Sequence, residues 1–208
     1  MFDFLALVTC KKYWILHSIV IKWILKCYDI KVGSGFYIEG IPKLKIRGKG
    51  SNIVIDDDVS ILGDIDLRNR ENGKIFFKKN VTVEGNCRFV SAREGTIEVG
   101  EGSIVTAFAL INGGDDLIIG KQCIIGPRSS LNANDHVFDR STPVREAGFV
   151  HAPIYIEDDC WLAANVVVMK GVTIAKGSVI GAGSIVTKNT APYSINVGIP
   201  SKKISERK

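Results

Sequence analysis

The sequence predicts an all-β protein, a three-sided coil of parallel strands (a β-helix of hexapeptide repeats) with an amphipathic helix before it and a short extension after it. Three observations carry this. Large apolar residues recur every six positions at Ile156, Leu162, Val168, Ile174, Ile180 and Val186. The residue four places after each is small or β-branched: Cys160, Val166, Val172, Ser178, Ser184 and Thr190. The same phase runs upstream in threes, Ile55, Ile61, Leu67; Phe77, Val83, Phe89; Val99, Val105, Ile111; Ile119, Ile125, Leu131, with the spacing between groups slipping to 10, 10, 8 and 25 residues.

A period of six fits neither an α-helix nor a long alternating strand. Every slip falls after a third hexapeptide, so the extra residues bulge from one edge of a triangular prism. Each apolar residue points inward and stacks on its counterpart one coil above, about 4.8 Å away, while the small residue fills a corner. No coil buries its own face alone, so stability is a sum over neighbouring coils.

In chain order, residues 1–32 form an N-terminal helical segment, with a helix over residues 3–29. Lys11, Ser18, Lys22, Lys26 and Asp29 fall within a wedge of about 80°, with Trp14, Ile15, Ile19 and Ile21 elsewhere around it. Two placements are open: on an anionic membrane surface, or packed against the prism or a neighbouring subunit. The β-helix spans residues 33–193, its first coil within residues 30–54 poorly phased. Its external loop, 137–155, contains most of a 19-residue insertion. The tail, 194–208, leaves the hexapeptide phase at Ser194. Gly85, Gly126 and Gly181 sit near corners, where unusual backbone angles or close approach are needed.

Composition narrows the chemistry. The 208 residues, 46% hydrophobic and 24% charged, suit a packed domain. The five cysteines form no CxxC pair, and Cys87, Cys123 and Cys160 fall on the small corner position, which argues against a disulfide scaffold, structural zinc or a cysteine nucleophile. With only His17, His136 and His151, no metal site is expected. The net charge of +5 is concentrated near the two ends rather than in a stripe with aromatics, so no nucleic-acid partner is expected. Lys11, Lys12, Lys22 and Lys26 interrupt the apolar start and no cleavage site follows, which points to a cytoplasmic protein, with the inner membrane face as a further option.

The stretch IEDDCWLAANVVVMKGVTIAKGSVIGAGSIVTKNTAPYSINVGIPSKKI, with the coils upstream, resembles the hexapeptide-repeat acyltransferases, and among them the maltose, galactoside and O-antigen or capsule O-acetyltransferases. The resemblance covers roughly residues 50–205. It implies a left-handed coil, acetyl-CoA as co-substrate, a homotrimer with shared sites, and His136 as general base. Imidazole titrates nearest neutrality, as removal of a hydroxyl proton requires, and His136 opens the longest insertion. The resemblance places Trp161, Ala164, Ala182, Thr187, Lys188 and Lys202 on the coenzyme. Asp135 or a backbone carbonyl is a candidate to orient the histidine.

The acceptor contacts are less direct. The position that carries a sugar-holding asparagine in the maltose and galactoside enzymes is Thr106 here, with Asn112 the nearest alternative. The loop DRSTPVREAGF offers Asp139, Arg140, Arg145 and Glu146 instead, and His151 is an ordinary loop residue or a substrate contact. The implied function is O-acetylation of a sugar hydroxyl in a bacterial surface polysaccharide or its precursor. The alternatives are N-acetylation of a nucleotide-linked amino sugar and a noncatalytic β-helix that binds or assembles; a γ-type carbonic anhydrase lacks its third histidine.

Overall fold

The computed structural model describes Leu7, Thr9 and residues 12–208. Lys11 and the rest of the predicted helix before Lys12, Leu7 and Thr9 apart, lie outside the described residues, as does Cys10. Helix α1 runs Lys12–Cys27 and ends in a Schellman cap. Asp29 takes a left-handed φ of 62°, its N–H donates to Lys26 O and that of Ile30 to Leu25 O, and Leu25 and Ile30 are both buried.

About seven turns of coil follow, stacked into three parallel sheets. The predicted inward residues lie in exact vertical register, as in Ile55–Phe77–Val99–Ile119–Ile156–Ile174 on the first face. Ile61 to Ile180 on the second face and Leu67 to Val186 on the third behave alike, and all are at most 1% exposed. Phe77 and Phe89 meet edge to face across the core, ring centres 4.9 Å apart.

Two segments read as irregular are regular. Val32, Ile38 and Leu44 sit in register below Ile55, Ile61 and Leu67, so the first coil is complete. At the other end Ser194–Val197 adds a parallel strand to the second face, and Lys202–Glu206 folds back antiparallel on it. Backbone pairing there outlasts the hexapeptide phase.

The corners explain the small residues. Asp58, Asn80, Gln122 and Asp159 at the first corner, and Asn86, Phe108, Arg128 and Asn165 at the second, have φ between 54° and 63°. Each immediately precedes the buried small residue of its corner, where the left-handed kink turns the chain. Gly126 has no such φ; it is glycine because an added Cβ would lie 2.3 Å from Ala163 O in the next coil. Gly181 is likewise crowded, by Val197 Cγ1 at 2.6 Å.

Helix α1 packs on the first coil with Ser18 and Lys22 of its polar wedge inward, while Lys26 and Asp29 are exposed. Ser18 is 3% exposed; its hydroxyl donates to Trp14 O at 2.6 Å and accepts Ile38 N–H at 2.8 Å. Lys22 donates to Gly33 O, and His17 Nε2 meets Gly40 O at 3.0 Å. Ile21 and Leu25 complete the buried side, and Leu16, Ile19, Val20 and Trp23 face outward. The wedge satisfies carbonyls at the open end of the prism, which a wholly apolar face would leave unpaired. Among the described residues no helix is long and apolar enough to cross a membrane.

Candidate active site

The third corner, where every slip in the repeat falls, carries the site. After Leu131 the chain leaves the prism as a β-hairpin, Asn134–His136 against Phe149–His151, and rejoins it at Ile154. The excursion therefore starts before residue 137, and His136 stands on the hairpin itself. Asn134 pairs with His151 and His136 with Phe149. Directly opposed residues of an antiparallel pair share a side, so these four line one side and Asp135 and Val150 the other.

That alternation corrects the role expected of Asp135. Its carboxylate turns away from His136 and accepts from Lys170 Nζ at 2.6 Å, tying the hairpin to the next coil. His136 is instead held by stacking: its ring centre is 4.3 Å from that of Phe149, which lies 6.1 Å from that of His151. His136 is exposed, its ring open to an incoming hydroxyl.

Beside this row lies a cavity of about 420 Å³, lined by Arg70, Arg93, Asn112, Asn134, Phe149 and His151 among others. Asn112 Nδ2 is 3.4 Å from Asn134 Oδ1 and 3.5 Å from Asn132 Oδ1, a patch of amides suited to sugar hydroxyls. His151 Nδ1 is buried with no hydrogen-bond partner among the described residues. Burial first, and then the charge of Arg93, hold the His151 pKa below the usual imidazole range, with Asp115 partly opposing. Its ring is therefore a neutral polar group at the cavity wall.

Of the predicted acceptor residues, Asn112 is in the cavity and Thr106 is not: Thr106 sits at the second corner, its hydroxyl donating to Ile125 O at 2.8 Å. Arg145 is exposed in the hairpin's connecting loop, away from the cavity lining. Arg70, Arg93, Asn134, Phe149 and Lys170 were not anticipated. The signal for the two arginines was present in the sequence, since the residues inserted at each slip share an edge with the long insertion.

The predicted coenzyme residues cluster elsewhere. Trp161 lies on the second face, half exposed, between Ile124 and Val179 of the adjacent coils. Ala164 and Ala182 sit one coil apart at the second corner. Ala164 O accepts Gly183 N–H at 2.9 Å, while the N–H groups of both alanines have no partner among the described residues. Thr187 and Lys188 are exposed just after the last strand of the third face, and Lys202 is exposed in the tail. None of these residues lines the hairpin cavity.

The thiols of Cys87, Cys123 and Cys160 are buried in the coil, while Cys27 of α1 is exposed. Burial pushes Cys87 up to about 11, and Cys123 beside it, together with burial, pushes Cys160 well above the usual thiol range. Among the described residues no group of three or more His, Cys, Asp or Glu is placed to hold a metal.

Residues 153–188 match the family model described as bacterial transferase hexapeptide (six repeats). The galactoside O-acetyltransferase of Escherichia coli (strain K12) is 29% identical over 171 residues, 81% of each chain. The crystal structure of the polySia specific acetyltransferase NeuO superposes with a TM-score of 0.67 at 26% identity, covering 85% of this chain and 79% of that one. The chain thus carries the bacterial transferase hexapeptide repeat over residues 153–188 and resembles hexapeptide-repeat acyltransferases over most of its length. A further relative, the hexapeptide-repeat acetyltransferase VCA0836 of Vibrio cholerae complexed with acetyl coenzyme A, is 31% identical with a TM-score of 0.51, over 54% of this chain and 61% of that one. This hexapeptide-repeat protein spans less than half the length of the first curated relatives it matches.

Proposed function

We propose that the protein transfers an acetyl group from acetyl-CoA to a hydroxyl of a sugar belonging to a surface polysaccharide or its precursor. The carrying observation is the placement of His136, an exposed imidazole stacked on Phe149 beside an amide-lined cavity at the edge where the coil is broken open. The relative with acetyl coenzyme A bound, and the polySia and galactoside enzymes, support the donor and the sugar class.

In this reading acetyl-CoA supplies a thioester carbonyl activated toward attack. His136 takes the proton of the acceptor hydroxyl as its oxygen bonds to that carbonyl carbon. The C–S bond then breaks, and the imidazolium returns the proton to the departing sulfur. Transfer is direct in this reading, because Cys87, Cys123 and Cys160 are buried in the coil core and none lines the hairpin cavity. The unpartnered N–H groups of Ala164 and Ala182 suit the amide-rich arm of the coenzyme, and Lys188 and Lys202 suit its phosphates. The hairpin cavity lies beside the third corner, whereas Trp161 lies on the second face and Ala164 and Ala182 at the second corner; this supports a homotrimer in which His136 of one prism faces those coenzyme residues of the next. An acetyl-CoA donor suits a protein of the cytoplasm.

The test is release of free coenzyme thiol from acetyl-CoA against a panel of polysaccharides, sugar nucleotides and amino sugars. His136→Ala is expected to lose 10²-fold or more in kcat. Activity within tenfold of wild type, or no release with any acceptor, refutes the reading; release with amino sugars alone reassigns it to N-acetylation.

A further inference from the structure

We infer that the hairpin cavity takes an acidic saccharide, held through a carboxylate or phosphate by Arg70 and Arg93; this rests on the reading of the cavity as the acceptor site. Both guanidinium groups are exposed at the third corner, on successive coils, and neither forms an ion pair among the described residues. Their neighbours on the third face differ: Arg68 and Arg88 are both paired to Asp66, at 2.6 and 3.1 Å. The nearby acids are hydrogen-bonded to backbone N–H groups, and none forms an ion pair with either guanidinium among the described residues. Glu71, which also lines the cavity, accepts the backbone N–H of Arg93 at 2.6 Å, and Asp115 accepts Asp116 N–H at 2.8 Å.

The cavity lining therefore carries two guanidinium groups against the single carboxylate of Glu71, an excess of positive charge beside a neutral imidazole with an orphan nitrogen and a row of amides. Neutral sugars need the amides but give the arginines nothing to neutralise; an anionic group satisfies both. Arg47 continues the line one coil lower, its N–H donating to Asn69 O as that of Arg70 does to Ser91 O. Arg47 and Arg70 hold equivalent positions on successive coils and Arg93 stands one residue further along on the next, an edge that suits a glycan carrying successive charges.

Isothermal calorimetry on the whole protein without acetyl-CoA tests this with trigalacturonate (carboxylates), UDP-galactose (phosphates) and maltotriose (neither). At least one acidic probe is expected to bind where maltotriose does not. Arg70→Gln and Arg93→Gln are each expected to weaken it by roughly 10- to 100-fold, and Lys121→Gln, at another corner, to leave it unchanged. Binding of trigalacturonate alone assigns a sugar carboxylate, and of UDP-galactose alone a nucleotide-linked precursor. The inference is overturned if maltotriose binds as well as the acidic probes, if neither acidic probe binds, or if both arginine variants match wild type. Because binding is read without transfer, absence of acetyltransferase activity leaves this result standing, and turnover of neutral sugars alone would sink this inference but not the transferase.

Discussion

Two histidines share one side of the hairpin but occupy different electrostatic settings. His136 is open to solvent, whereas His151 is partly buried beside Arg93, so its imidazolium is disfavoured in the fold. With a folded pKa below the unfolded one, the unfolded chain binds more protons over the interval between them. Stability contributed at this position is therefore full above about pH 6.5 and falls as the pH drops toward the folded value. Thermal midpoints measured from pH 7 down to 5 should fall more steeply in wild type than in His151→Gln, and identical slopes would remove His151 from the balance. Arg93→Gln should move the His151 imidazole titration upward in NMR, because the second-largest cause of its depression is gone.

At the level of the elements, the repeat made the strands and their stacking readable, because one inward residue per side is dictated by burial alone. Corner geometry was readable only in part. Cys87, Cys123 and Cys160 were correctly placed as fillers, whereas Phe108 and Arg128 in a left-handed conformation carry no composition signal; they stack on one another, guanidinium 5.9 Å from ring centre. Gly126 shows how tightly one coil sits on the next. Gly126→Ala drives a Cβ onto Ala163 O, and an overpacking cost of about 1–3 kcal/mol should appear in denaturant unfolding. An unchanged midpoint would mean that the coils separate more freely than their register implies. The hairpin was not readable: its sequence has no alternation long enough to declare strands, and the side on which Asp135 falls follows from pairing with Val150.

Over the whole molecule, the core is a single column that each coil extends, with its first end closed by α1 and its last by the folded-back tail. Sequence periodicity located the polar wedge of α1 but assigned no partner to it; the first coil presents unpaired carbonyls, and Ser18, Lys22 and His17 answer them. In the proposed trimer His136 of one prism meets Ala164 of the next, which leads to a prediction at this scale. Mixed after unfolding and refolding together, His136→Ala and Ala164→Pro, each inactive alone, should regain measurable thiol release, because some interfaces then join an intact His136 to an intact coenzyme groove. No recovery, with trimers verified by sedimentation, would place each site within one chain.

By itself the sequence determined the coil, its three faces, the corner at which it is interrupted and the histidine that opens the interruption, because periodic burial leaves a periodic record. Only the tertiary structure decided which residues meet at that corner. Arg70, Arg93, Asn112 and His151 come from four separate stretches of chain and leave no local pattern, and stacking of coils with antiparallel pairing of the hairpin brings them around one cavity, with Asp135 turned out of it toward Lys170.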